Sequence, residues 1–153
     1  MATVDAMSGL LDPEECRRRD AVLRAYILSR TWDGGGEFHL VRALVSEGHP
    51  TLDDFPFLVD YEWEVWPGAS EGGKGDLVCS DAGGRFAVVD VKCLDMRADR
   101  TVGTRRTGHR KKVREQGQNY ARALGRRLGA ACASIRAFAH TNEVAMLEVP
   151  WTM

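Results

Sequence analysis

Apolar residues recur at helical spacing in three stretches of this chain and alternate with polar residues between them. The first stretch predicts a helix from about Asp12 to Arg30, with Asp12-Pro13-Glu14-Glu15 as its start signal and Val22, Leu23, Tyr26 and Ile27 as its apolar stripe. Trp32-Asp33-Gly34-Gly35-Gly36 stops it. A second helix, Glu37 to Glu47, buries Phe38, Val41, Leu44 and Val45 and ends at Gly48-His49-Pro50, before a turn-rich stretch that reaches Pro56. From Phe57 to Trp66 the period drops to two, setting Tyr61, Trp63 and Val65 on one side of a strand and Glu62 and Glu64 on the other. A flexible link, Gly68 to Gly75, leads into two more strands, Lys74 to Cys79 and Arg85 to Lys92, which the Asp81-Ala82-Gly83-Gly84 turn joins as a hairpin. These three strands make a meander.

Beyond Asp95 the chain is polar and basic through Arg110, then turns helical from about Lys111 to Leu128, where Val113, Tyr120, Leu124 and Leu128 recur near helical spacing. Gly129 stops this helix. Cys132 to Ala139 and Val144 to Val149 read as two further strands around a Thr141-Asn142-Glu143 turn. The order is α-α-β-β-β-α-β-β, the pattern of an α/β protein, and the chain shows no internal repeat, low-complexity tract or second domain.

Composition narrows the class. With 153 residues, 44% hydrophobic and 28% charged, the chain suits one globular domain with a real core. Its longest apolar runs, such as Ala87 to Val89 and Gly129 to Ala133, are far too short for a membrane span, and the acidic N-terminus lacks the order of a signal peptide. The expectation is an intracellular protein, cytoplasmic or nuclear, with no membrane partner. Cys16, Cys79, Cys93 and Cys132 are scattered without metal-ligand spacing, so reduced thiols are expected rather than disulfides or a zinc site.

The net charge of −1 conceals a sorting of charge along the chain. Between Arg97 and Arg127 stand eleven Lys or Arg against Asp99 and Glu115 alone, a local +9 that leaves −10 for the remainder. Phosphates are held chiefly by Lys and Arg, so this segment suits a polyanion, although a solvated helix face carries the same composition.

The candidate chemistry lies just before the basic segment. Asp76 heads one strand of the hairpin and Asp90-Val91-Lys92 ends the other. Alternation sends Asp90 and Lys92 to one face while Val89, Val91 and Cys93 point to the other. Carboxylates on neighbouring strands can share a divalent cation, and an adjacent ammonium can hold or help deprotonate a water, the parts needed for metal-assisted phosphodiester hydrolysis. Taken singly, Asp90-Val91-Lys92 also fits a solvent-facing strand end and Asp76 a turn-closing aspartate. Glu62 and Glu64 can add a ligand or a base, or form the polar side of a half-buried strand.

These residues resemble the PD-(D/E)xK nuclease superfamily, with its restriction-endonuclease-like fold. Gly75-Asp76 matches the first motif with Gly in place of the name-giving Pro, Asp90-Val91-Lys92 matches the second, and Gln116-Gly117-Gln118-Asn119-Tyr120 matches the QxxxY helix of the RecB-like branch. The resemblance covers roughly the last two thirds of the chain. It implies a mixed sheet flanked by helices, with a core over 36–150 behind a helical extension over 1–35. It further implies that Asp76, Asp90 and the main-chain carbonyl of Val91 hold Mg²⁺, with Mn²⁺ able to substitute, while Lys92 orients the attacking water.

The resemblance also carries Gln116 and Tyr120, four apart on one helical face, toward the site, Gln116 near the substrate phosphate or Lys92. Their plain alternative is a surface Gln and a core Tyr. Family members often place an acidic residue on the helix before the sheet, a position open here to Glu37 or Glu47, and Gly35 to His39 faintly resembles the Gly-xxx-His start of the same branch. Arg105, Arg106, Arg110, Lys111 and Lys112 are the candidate backbone contacts. The function implied is a Mg²⁺-dependent nuclease acting on DNA ahead of RNA. The alternatives are a nucleic-acid-binding protein of the same fold without useful turnover and an interaction protein with charged surfaces. A homodimer or a larger partner would supply specificity that so small a chain lacks.

Overall fold

The computed structural model describes residues 12–30, 36–64, 74–94, 100–129, 132–143 and 146–152. Val65, Trp66, the glycine-rich link up to position 73, Trp32 to Gly35 and position 144 lie outside them. Helices α1 (Pro13–Ser29) and α2 (Gly36–Glu47) precede a short 3₁₀ turn (Pro50–Leu52). Strands β1 (Phe57–Glu64), β2 (Lys74–Ser80) and β3 (Arg85–Lys92) follow, then helix α3 (Arg100–Leu128) and strands β4 (Ser134–Thr141) and β5 (Leu147–Val149). The chain is a mixed α/β protein whose five strands form one mixed sheet in the order β1-β2-β3-β4-β5.

Strands β1, β2 and β3 pair antiparallel as a meander. At the tip of the β2–β3 hairpin, Asp81 Oδ1 accepts from the backbone N–H groups of Gly83 and Arg85, at 2.7 and 3.1 Å, while Ala82 and Gly84 take positive φ values of 64° and 93°. Strand β4 then runs parallel to β3, from Arg85 opposite Ser134 to Lys92 opposite Thr141. A parallel neighbour requires a crossover, and α3 supplies it.

Both faces of the sheet are covered. Val78, Phe86, Val88, Ala137 and Ala139 join Tyr120, Ala121, Leu124 and Leu128 of α3 in one cluster. Leu77, Cys79, Ala87, Val89, Val91 and Phe138 join Phe38, Val41, Leu44 and Val45 of α2 in the other. Strand β3 is therefore central and buried along nearly its whole length, which is why its sequence is an almost unbroken apolar run. The spacing of Gly117 from β4, 3.8 Å from a Cβ on it to Phe138 O, shows how closely α3 lies on the sheet.

Three elements differ from the sequence pattern. Helix α1 does not bury Val22 or Tyr26, which are 57% and 50% exposed; its inner side carries Cys16 and Ile27. The reason is what it covers. Helix α1 lies on β1, an edge strand whose free backbone groups need polar partners, so Asp20 Oδ1 accepts from Leu58 N at 2.8 Å, while Arg24 donates to Val45 O in α2 and to Pro56 O just before β1. Helix α3 starts at Arg100 rather than Lys111, because its basic first half has no apolar stripe to announce it. The last strand is confined to Leu147–Val149.

Candidate functional site

Strand alternation collects the acidic positions on the α3 side of the sheet. The described β2–β3 ladder runs from Ser80 opposite Phe86 to Leu77 opposite Val89. Asp76 and Asp90 are the next residues along each strand, so the two aspartates occupy adjoining strands immediately past that last rung. Asp90 shares the phase of Phe86 and Val88 and is 3% exposed. It is a buried carboxylate in the central strand, not a solvent-facing strand end. The Asp76 side chain lies outside the described residues.

Strand β1 contributes a third row. A register shift between Leu58 and Asp60 sets Asp60 opposite Val78, and Glu62 and Glu64 follow in the same phase along β1. The side chains of Glu62 and Glu64 lie outside the described residues. Asp60 was not singled out by its sequence, yet burial holds its carboxyl above the usual carboxylate range, against the opposing pull of the Tyr61 N–H at 2.9 Å and the charges of Arg19 and Arg127. The signal that could have found it is the period-two series Asp60, Glu62, Glu64.

Lys92, the last residue of β3, is ion-paired with Glu37 of α2, Nζ to Oε1 at 3.0 Å. Between the candidate helix glutamates, Glu37 is thus the one that meets the Asp-x-Lys triplet. Glu47 is exposed at the opposite end of α2, and exposed His39, two residues on from Glu37, lies on another side of the helix. Glu37 stands in the first turn of α2, where the helix dipole favours a carboxylate.

Two contacts fix this end of β3. A Cβ added at Gly36 would sit 2.5 Å from Cys93 Sγ and 2.9 Å from Cys93 Cβ, so only glycine lets the start of α2 approach the residue after Lys92 this closely. On the other side Asn142 Oδ1 accepts from Leu94 N at 2.7 Å and its Nδ2 donates to Leu94 O at 2.9 Å. One side chain thereby satisfies both main-chain groups of buried Leu94, as a further ladder rung would.

On α3, Gln116 is half-buried and Tyr120 is buried within the cluster under β3. Both belong to the layer that carries the aspartates, with Tyr120 packed as core. Lys111 and Lys112 are exposed, and Lys111 pairs with Glu115 at 3.9 Å. Arg105, Arg106 and Arg110 lie on the same helix, but their side chains fall outside the described residues.

Burial disfavours the thiolate at three of the cysteines. Cys79 is buried and its thiol is pushed up to about 12, and burial also raises Cys16 and Cys132. Among the described residues no group of three or more His, Cys, Asp or Glu side chains is assembled as a metal cage, and no helix is long and apolar enough to cross a membrane. No protein family, curated protein or solved structure matches this chain.

Proposed function

We propose that the chain is a metal-dependent nuclease with a restriction-endonuclease-like core, hydrolysing the phosphodiester bonds of DNA. The observation that carries this reading is the ion pair of Lys92 with Glu37 beside buried Asp90, with Asp76 in the adjoining strand just past the last ladder rung. The element order and the parallel β3–α3–β4 crossover are compatible with such a core.

The donor chemistry fits a hard divalent cation. Asp76, Asp90 and the main-chain carbonyl of Val91 offer only oxygen, which suits Mg²⁺ or Mn²⁺ and disfavours softer ions. Bound there, Mg²⁺ would supply Lewis acidity to the scissile phosphate and to an attacking water. The remaining work falls to the chain itself. The Glu37 carboxylate, 3.0 Å from Lys92 Nζ, holds that side chain at the end of β3, where it can hold a water. Gly36 and Asn142 keep that lysine from drifting, since each pins a residue within two positions of it. Gln116, half-buried on the same side, is the group available to a phosphate oxygen.

The test is cleavage of labelled DNA and RNA, single- and double-stranded, with Mg²⁺, Mn²⁺ or EDTA. The expected outcome is metal-dependent cleavage that Asp90→Ala and Lys92→Ala each reduce by at least about a hundredfold, the scale of losing a catalytic acid–base group, with nucleic-acid binding retained. Binding indifferent to metal and without cleavage would instead identify a nucleic-acid-binding protein.

A further inference from the structure

We propose that the amino-terminal half of α3 is a basic arm that enters the major groove of duplex DNA. The proposal rests on the nuclease reading for its choice of a polyphosphate partner.

Helix α3 outruns the sheet. Its 29 residues span about 43 Å at 1.5 Å per residue, whereas the 8 residues of β3 span about 26 Å. Among the described residues, the buried ones all lie in its second half. Gly117, Tyr120, Ala121, Ala123, Leu124 and Leu128 are buried, while the described residues before Gln116, namely Gly108, Lys111, Lys112, Arg114 and Glu115, are all exposed. A crossover helix runs back along the sheet from the end of β3, so the exposed half belongs to the end that carries Asp90 and Lys92.

That half is uniform in charge. From Arg100 to Arg114 there are seven Lys or Arg, no Asp or Glu, and no Phe, Tyr or Trp. At 100° per residue, positions 106 and 110 continue the stripe of Gly117, Tyr120 and Leu124, positions 105 and 112 fall on one flank, position 114 on the other, and positions 100 and 111 on the far side. The helix is basic around its circumference. A helix resting on one phosphate backbone needs charge on one side only; a helix lying between two backbones uses all of it.

Groove dimensions select the partner. A helix with side chains is about 10–12 Å across, which the roughly 12 Å major groove of B-form DNA admits and the deep, narrow major groove of A-form RNA does not. Single strands are gripped by aromatic stacking platforms, and the arm has none. Electrostatics within the arm point the same way. Its first turn holds no acid, its positive charge opposes the helix dipole, and Arg106 and Arg110 stand four apart in the sequence, so flanking phosphates offset like charge along the arm.

The experiment measures binding of the full chain in EDTA, which separates it from cleavage. The probes are a 20-base-pair DNA duplex, its single strand and the matching RNA duplex. DNA duplex should bind at least about tenfold more tightly than either, because each lost phosphate contact removes counterion release. Arg106→Gln with Arg110→Gln, and separately Lys111→Gln with Lys112→Gln, should each lower the slope of log K against log salt by about 1.8, or 0.9 per phosphate. Arg126→Gln, at the other end of α3, should leave the slope unchanged. Dimethyl sulfate should find guanine N7, a major-groove atom, protected over about six base pairs, the reach of a 22 Å arm. Circular dichroism of each variant checks that the fold persists.

Equal affinity for the three probes, unprotected N7, or a slope that ignores both double substitutions would overturn the proposal. Arm-dependent duplex binding without metal-dependent cleavage would sink the nuclease reading alone. Metal-dependent cleavage of duplex DNA by a chain whose binding ignores the arm would sink this inference alone.

Discussion

Gly36 and Cys93 show how single residues govern the candidate site. Gly36→Ala forces a Cβ to within 2.9 Å of Cys93 Cβ, which cannot swing aside as a thiol tip can, so the start of α2 must move. The expected cost is about 1–3 kcal/mol, the range for overpacking a filled interior. Adding Cys93→Ala should recover part of it, a coupling that chemical denaturation of the two single variants and the double variant would reveal; strictly additive losses would refute the contact. Glu37, one residue on, plays a different part. Its pair with Lys92 is partly exposed on both sides and so contributes at most about 1 kcal/mol to stability. Its value is in position, since it brings a carboxylate from a separate layer to the catalytic lysine proposed for this site. Asp90 and Lys92 were legible as a motif in the sequence; that Glu37 and not Glu47 meets Lys92 was not, because both lie on α2 and only the packing of that helix brings one of them to the end of β3.

Elements succeed or fail to announce themselves according to what they bury. Helix α2 faces the apolar side of the sheet and its stripe of Phe38, Val41, Leu44 and Val45 was plain in the sequence. Helix α1 covers a strand edge, where Asp20 accepts from the Leu58 N–H, and Arg24 ties it to α2 through Val45 O, so polar contacts hold it where the sequence pattern suggested an apolar stripe. The described residues in the first half of α3 are exposed, and the sequence there shows no hydrophobic period. The Asn142 clamp was equally hidden. It looked like a turn residue, yet it serves as a rung between the end of β4 and the segment leaving β3. Asn142→Ala removes two hydrogen bonds and leaves buried main-chain groups of Leu94 unsatisfied, an expected loss of about 1–3 kcal/mol. Amide exchange at Leu94 should accelerate well beyond that of its neighbours in β3. Uniform acceleration across the strand would mean that the clamp acts on the whole fold and not on the site's end of it.

Across the whole molecule, two buried ionisable groups pull stability in opposite directions with pH. His140 is held below the usual histidine range, first by burial and then by His49, and its Nδ1 accepts from Met146 N at 3.2 Å. The unfolded chain therefore binds the proton first, and this contribution, full above pH 6.5, is lost as pH falls through the lowered value. Asp60, raised by burial, has the reverse sign: it favours the fold below the unfolded value of 3.8 and that contribution is lost as pH rises through the raised one. His140→Asn keeps an acceptor for Met146 without taking a proton. Urea midpoints at pH 7.5 and 5.5 should differ less for this variant than for the parent chain, even if both its midpoints are lower; an undiminished difference would remove His140 as the cause. Charge is divided at this scale too, with a basic helix beyond one end of a sheet whose remaining chain is acidic. Under the proposed function, such a division would steer a polyanion toward the end where Asp90 and Lys92 lie.

The sequence alone determined the local terms: the order of helices and strands though not the first half of α3, where the hairpin turns, which residues carry charge, and that an aspartate and an Asp-x-Lys stand on neighbouring strands. Those follow from periodicity and turn chemistry, which act over a few residues. The tertiary structure decided the rest: that β3 is central and Asp90 buried, that Glu37 meets Lys92, that Asp60 is desolvated, and that the described residues of α3 before Gln116 are exposed. Each of these depends on contacts between residues distant along the chain, whose energies no local pattern records.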